Sequence, residues 1–401
     1  MTRGRQPAVL EGWFTLASRA QARRIGRKLT LAFGDQYEKW RVDTSKVPGA
    51  CGLSGVMSRD GKPIGGDVII ESMRVIHDRG NGLGGGFAGY GIYPEYANHY
   101  AMHIMFEDSS GRELCEQLLE SNLEIEAAEE IPTKPSPQIV DPPELRRYFA
   151  VPRREKLAAE GIEPDDFMVK LVMTINTTVP GTFVFSSGKN MGVFKAVGFA
   201  EDVGEFYRLP DYSGYTWIGH GRFPTNTPGW WGGAHPFNIL DWAVVHNGEI
   251  SSYGINKRYL EMYGYECTLL TDTEVMAYLF DLLVRKHRLP LEIACRVLAA
   301  PFWKDIDIED DPQSKELDEA LRMTYSSVLV NGPFAVIVGF SRGMVGLNDR
   351  IKLRPLMAAY KDDFLYISSE ESAIRQICPK PDKVWAPNAG QPVIGELKGD
   401  V

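Results

Sequence analysis

Two hydrophobic rhythms alternate along the chain. From Cys51 the run CGLSGVMS reads as a short strand closed by a turn at Arg59-Asp60-Gly61. DVIIESMRVIHDRG follows with its apolar residues at helical spacing. HYAMHIMFED alternates as a strand should, GRELCEQLLES is helical, and LEIEAAEEI fits either state. Ile131 to Pro143 holds five prolines and marks a surface connection. After it, ELRRYFAVPRREKLAAEG predicts a charged helix broken or kinked near Pro152. DFMVKLVMTINTT and GTFVFSSGKNMGVFKAVGF predict two β-rich runs. WAVVHNGEI predicts a buried strand ending in a turn at Asn247-Gly248. TDTEVMAYLFDLLVRKH predicts a helix capped by Thr271 or Asp272, with Glu274 in its first turn. LEIACRVLAAPFW and ELDEALRMTY read as helices on either side of an acidic, exposed stretch, DIDIEDDPQSKE. Hairpin-like pairs close the chain: FAVIVGF with MVGLN, then LMAAY with FLYISS. Helices and strands mix without βαβ regularity, so the pattern predicts an α+β fold with antiparallel sheets, not a doubly wound one.

Composition narrows the function classes. The chain has 401 residues, 44% hydrophobic and 24% charged, enough for one large domain or two medium ones. A net charge of -9 argues against wholesale nucleic-acid binding. The cysteines (Cys51, Cys115, Cys267, Cys295 and Cys378) are odd in number and far apart, with no CxxC or Cys/His cluster. Neither a disulfide framework nor a zinc site is indicated, and a reducing, cytoplasmic compartment is expected. No apolar run approaches the roughly 20 residues that cross a bilayer. Residues 1–50 stand apart: up to Thr30 they carry seven basic residues and one acid, Glu11. Three readings stay open for this segment: a solvated or partner-docking helix, a removable leader ending at Ala50, and an organellar transit peptide.

Two motifs are set aside. Gly84, Gly86 and Gly89 match GxGxxG, but YGIYPEY follows and Pro94 opposes the helix a phosphate site needs. The stretch reads as a mobile loop. His220, His235 and His246 fall close together but lack a short ligand spacing, so no metal is expected and they read as satisfied loop or core histidines.

Four further features, each weak alone, occur in a telling order. Cys51 follows Pro48-Gly49-Ala50 and opens CGLSG; Arg222 lies in GHGRFPTNT; Asn247-Gly248 ends VVHNGEI; Asp272 sits in LTDTE. Together they resemble the class II, or N-terminal-nucleophile, glutamine amidotransferase family. CGLSGV is similar to its nucleophile strand, and HDRGNGLGGGFAGYG to its HRG-glycine loop. GRFPTNT resembles its glutamine-binding segment, HNGEI and TDTE its oxyanion turn and acidic contact. GPFAVIVGF, GLNDRIKLRPL and YISSE resemble its closing hairpins. The likeness runs from Cys51 to about Ser372, and RFPTNT is most similar to the amidotransferase domain of glutamate synthases.

The resemblance implies a four-layer αββα sandwich. It implies hydrolysis of L-glutamine to L-glutamate and ammonia through a thioester on Cys51. Asn247 and Gly248 would hold the oxyanion, Arg222 the substrate carboxylate and Asp272 its ammonium, with Thr225 and Asn226 lining the pocket. The family's base is the free α-amino group of the nucleophile, with a pKa of about 7.7–8.0, so removal of residues 1–50 is expected. Cys51 and Arg222 are 171 positions apart, longer than in compact members. Residues 97–212 therefore read as an inserted α+β segment within a domain spanning 51–401. Only about 30 residues follow the closing hairpins, so the ammonia acceptor is expected on another polypeptide. A flavin-containing synthase subunit of a glutamate-synthase-like hetero-oligomer is the expected partner, with FMN and an iron–sulfur cluster on that subunit and no cofactor on this chain. Two alternatives remain: a non-catalytic regulatory or scaffold subunit, and an amidase of the same fold acting on another amide.

Overall fold

The computed structural model describes residues 50–223, 229–269 and 271–399. Strand β1 (Gly52–Ser58) is buried along its whole length because both of its faces are covered. Leu53, Gly55 and Met57 face a second sheet; a Cβ at Gly55 would meet Met344 Sδ at 3.0 Å and Ile337 at 3.3 Å. Ser54 turns the other way and shares a 2.6 Å hydroxyl–hydroxyl bond with Ser72 on α1 (Gly66–Val75). By the same alternation Cys51 faces the space between the sheets.

In chain order there follow β2 (Gly85–Tyr90), β3 (Tyr100–Phe106), α2 (Ser109–Asn122), β4 (Leu123–Glu130), β5 (Glu144–Pro152), α3 (Arg154–Glu160), α4 (Pro164–Thr178), β6 (Thr182–Ser186), β7 (Met191–Ala196), α5 (Ala200–Phe206), β8 (Thr216–Gly221), β9 (Phe237–Ile239) and β10 (Trp242–Gly248). Then come α6 (Tyr253–Glu261), α7 (Asp272–Phe280), β11 (Phe334–Phe340), β12 (Gly343–Asn348), β13 (Met357–Lys361), β14 (Phe364–Ser368), α8 (Glu371–Ile377), β15 (Lys383–Trp385) and β16 (Val393–Glu396).

Seven strands form one antiparallel sheet in the order β15-β13-β14-β1-β8-β2-β7, with Gly52 opposite Gly221 and Ser54 opposite Ser368. Five form a second, β9-β10-β11-β12-β16. Leu53, Met57, Ile218, Ala243, Val245, Ala335 and Ile337 fill the layer between them. Helices α1, α5 and α8 cover the outer face of the larger sheet, and α7 with α6 beside it covers the smaller. On β10 the alternation is visible directly: Ala243 and Val245 point into the inter-sheet layer, while Val244 joins the cluster under α7. The result is the four-layer αββα sandwich. Residues 100–186 build a separate antiparallel sheet, β4-β5-β3-β6, backed by α2 and α4; the chain then returns to the large sheet at β7. No helix among the described residues is long and apolar enough to cross a membrane.

Three segments differ from the sequence expectation. The charged helix expected over 144–161 is half strand: Glu144–Pro152 pairs with both β3 and β4, and only Arg154–Glu160 is helical. The β-rich run DFMVKLVMTINTT is helix α4, started by Pro164 with Asp165 and Asp166 in its first turn. It buries Phe167, Met168, Leu171, Val172 and Ile175, a helical stripe that outweighs β-branched composition. Finally, the glycine run is no mobile loop over Gly85–Tyr90 but the fully buried strand β2. Its lack of side chains is a packing requirement, since a Cβ at Gly89 would lie 2.6 Å from the Trp217 ring.

Candidate active site

Cys51 stands at the mouth of the inter-sheet layer, half-buried as a residue but with its sulfur closely surrounded. The backbone N–H of Phe223 donates to its Sγ at 3.3 Å. Burial pushes the thiol above its ordinary range; the Phe223 N–H and the charges of Arg222 and Arg354 pull it back without cancelling that rise. The strand downstream is pinned. Arg79 Nε donates to the Cys51 carbonyl at 3.2 Å while its Nη1 pairs with Glu370 at 2.8 Å. Leu53 N–H donates to Ser369 Oγ at 3.0 Å, and the Leu53 carbonyl accepts from Ser368 Oγ and Ser369 N–H.

Arg222 follows the last residue of β8. Its backbone is splinted to the glycine-rich segment, with its N–H on the Gly84 carbonyl at 2.9 Å and its carbonyl accepting from Asn81 N–H at 3.1 Å. The side chain is buried, 7% exposed, which pulls its guanidinium down against the opposing pull of Cys51 and Asp272. Thr225 and Asn226 lie outside the described residues.

Asn247 and Gly248 end β10. Asn247 shares the inward parity of Ala243 and Val245, is 1% exposed, and its Nδ2 finds no hydrogen-bond partner among the described residues. Gly248 has φ +148°, and a Cβ there would fall on the Pro333 carbonyl, so the turn accepts glycine alone. Asp272 opens α7, capped by Thr271 through its 3.3 Å bond from Thr273 N–H. Its Oδ2 accepts from Ile250 N–H at 2.8 Å, and His246 Nδ1 lies 3.6 Å from Oδ1. Burial works to raise this carboxyl, yet His246, the Ile250 N–H and the Thr273 hydroxyl outweigh it and hold the group below the usual range, as a carboxylate.

A profile of glutamine amidotransferases class-II matches residues 143–384. The chain belongs to the class II glutamine amidotransferases. It is similar to an uncharacterized protein of Archaeoglobus fulgidus, 54% identical over 87% of this chain and 93% of that one. It is also similar to a putative glutamine amidotransferase of Methanothermobacter thermautotrophicus, 26% identical over 82% of this chain and 93% of that one. Among solved structures it matches a glutamine phosphoribosylpyrophosphate amidotransferase from B. subtilis at TM-score 0.40 and 13% identity, covering 88% of this chain and half (50%) of that one.

In this amidotransferase the fold brings Cys51, Arg222, Asn247, Gly248 and Asp272 to one end of the sandwich, where β1 begins, β8 and β10 end and α7 starts. This end therefore presents a thiol, a buried side-chain amide with no Nδ2 partner among the described residues, and one charge of each sign. The three histidines lie beneath this end, all buried. His220 Nε2 donates to the His246 carbonyl at 3.0 Å, and the His220 and His235 rings stack at 3.9 Å. Burial drives His220 down to about 3 and His235 well below the ordinary histidine range, so both are neutral rings. Among the described residues no group of His, Cys, Asp and Glu side chains is placed to hold a metal ion.

Sequence reasoning passed over residues that hold the amidotransferase site together. Arg79 was in plain view inside HDRG, but only the structure shows its guanidinium bridging the Cys51 carbonyl and Glu370, 291 positions further on. Ser368, Ser369, His246 and Thr273 likewise stand in YISSE, HNGEI and TDTE, but the partners they hold are distant in sequence and only the structure shows them.

Proposed function

We propose that this class II amidotransferase hydrolyses L-glutamine to L-glutamate and ammonia through a γ-glutamyl thioester on Cys51. The observation that carries the reading is the contact between Cys51 Sγ and the peptide of Phe223, next to Arg222, at the open end of the inter-sheet layer. In the attack, sulfur bonds to the side-chain carbonyl carbon and the oxygen takes up negative charge. Asn247 Nδ2–H and the Gly248 N–H receive that charge, one such donor being worth about 2.7–4 kcal/mol. The carbon–nitrogen bond then breaks and ammonia leaves with the thiol's proton. Water cleaves the thioester, releasing glutamate and restoring the thiol. Arg222 grips the substrate carboxylate and Asp272 its ammonium.

Because burial raises the Cys51 thiol, it needs a base. While Ala50 is attached, the Cys51 nitrogen is a peptide nitrogen and takes no proton. Release of residues 1–50 converts it to an amine of pKa about 7.7–8.0 beside the sulfur. The ammonia passes to a flavin-containing, glutamate-synthase-like subunit, which carries the FMN and iron–sulfur cluster. The likeness of RFPTNT to the amidotransferase domain of glutamate synthases supports that assignment.

N-terminal sequencing and intact mass of purified protein are expected to show Cys51 as residue one. Ammonia release from glutamine is expected to vanish in Cys51→Ala. An active preparation in which every molecule keeps the fifty-residue extension overturns the amine-base mechanism. Copurification from the native host followed by a visible absorption spectrum tests the partner, and an ammonia-accepting partner without flavin overturns that half.

A further inference from the structure

The polar network under Asp272 converges on one hydroxyl. Thr273 Oγ1 lies 2.7 Å from His235 Nε2, 3.1 Å from His246 Nδ1 and 3.4 Å from Asp272 Oδ1. A threonine hydroxyl has one proton to donate and two lone pairs to accept with. A carboxylate only accepts, so the Thr273 proton goes to Asp272 and both ring N–H groups donate to Thr273. That assignment satisfies the hydroxyl completely and makes His235 Nε2 and His246 Nδ1 the donors to it. His235 Nδ1 and His246 Nε2 have no hydrogen-bond partner among the described residues. The other carboxylate oxygen of Asp272 is held by Ile250 N–H. Asp272 is therefore bonded at Oδ2 by the backbone and faced at Oδ1 by a fully buried hydroxyl, 3.4 Å away, that two buried rings hold in place, with His246 Nδ1 itself at 3.6 Å.

The same network ties together the elements that carry the site. His235 precedes β9, His246 adjoins Asn247 on β10, and Thr273 belongs to α7. His220, two residues before Arg222, holds the His246 carbonyl from β8.

We infer that Thr273, held by His235 and His246, is a positioning residue that sets the Asp272 carboxylate to receive the α-ammonium of glutamine. This rests on the glutaminase reading above. The network touches no reacting atom, so its loss weakens substrate binding and leaves the chemical step largely intact.

The test uses the protein as isolated, with wild type, Thr273→Val, Thr273→Ala and Thr273→Ser compared in two assays. One is steady-state ammonia release from glutamine. The other is labelling of Cys51 by a glutamine-shaped diazoketone and by iodoacetamide, which has no α-ammonium. Thr273→Val is expected to raise KM for glutamine roughly 10- to 100-fold, the range for a hydrogen bond to a charged group, with kcat within about threefold. Diazoketone labelling slows to match, iodoacetamide labelling does not, and Thr273→Ser recovers most of the loss. Thr273→Ala serves should the valine variant not fold. A valine or alanine variant with wild-type KM, one that loses kcat instead, or a serine variant no better than valine overturns the inference and leaves the glutaminase reading standing. A wild type that neither hydrolyses glutamine nor takes the diazoketone removes the glutaminase reading, and this inference with it.

Discussion

Replacing Asn247 by alanine separates a catalytic amide from a structural one. The side chain is 1% exposed, and its Nδ2 donors meet no partner among the described residues. Burying an unpaired donor costs about 1–3 kcal/mol, a penalty that truncation removes. Truncation also opens a cavity of about 25 Å³, which at about 24 cal/mol per Å³ costs roughly 0.6 kcal/mol. The two effects oppose each other, so folding stability should move by no more than about 2 kcal/mol. Catalysis should not be spared: loss of one oxyanion donor removes about 2.7–4 kcal/mol of transition-state stabilisation, or roughly 100- to 1000-fold in kcat. KM for glutamine should hold, because the donor meets the oxygen only as it gains charge. A coupled ammonia assay gives kcat and KM, and denaturant unfolding gives the stability. A variant that keeps kcat within tenfold, or one that loses activity only because it has unfolded, refutes the assignment.

Two further outcomes follow from the geometry. Arg222→Lys keeps a positive charge but not the planar fork, so KM for glutamine should rise roughly 10- to 100-fold; unchanged turnover of glutamine at low concentration would sink the carboxylate clamp. His103 gives a pH test far from the site. Its Nδ1 donates to the Val193 carbonyl at 2.8 Å, Nε2 accepts from the Tyr93 hydroxyl at 3.0 Å, and burial lowers it to about 3. A folded value below the unfolded one, about 6.5, gives stability that is present above that value and lost as pH falls toward 3. At pH 5.5 the loss is about 1.4 kcal/mol, so His103→Gln should flatten the stability difference between pH 8 and 5.5 by that amount; an unchanged slope in urea titrations counts against the buried neutral ring.

The short motifs and the family were more legible in the sequence than several of the elements around them. Cys51, Arg222, Asn247-Gly248 and Asp272 stand in short motifs whose residue types are dictated locally: glycine by the φ of the turn, a carboxylate by a helix start. The hairpins β11–β12 and β13–β14 were equally readable, since each joins neighbours in sequence. Segment 144–161 was not, because Glu, Leu and Arg favour helix while the strand Glu144–Pro152 is imposed by partners on both sides. Asp165 to Thr178 failed for the opposite reason, its Val, Ile and Thr content hiding a helical stripe. Strand β2 was invisible because glycines carry no hydropathy pattern; what selects them is the Trp217 ring on the neighbouring strand. Thr273 stood beside the cap candidates Thr271 and Asp272, and nothing nearby announced that two histidines would share its oxygen.

The first residue of a strand at a chain end ordinarily frays. Among the described residues, the hydrogen bonds that hold the start of β1 lie on the carboxyl side of the Ala50–Cys51 bond: a guanidinium on the Cys51 carbonyl, and paired serines gripping Leu53 from the adjoining strand end. None of these hydrogen bonds involves an atom on the amino side of that bond, so a cut there breaks none of them. If residues 1–50 are released as proposed, the cut exchanges a peptide nitrogen for an amine beside a sulfur whose strand keeps those bonds.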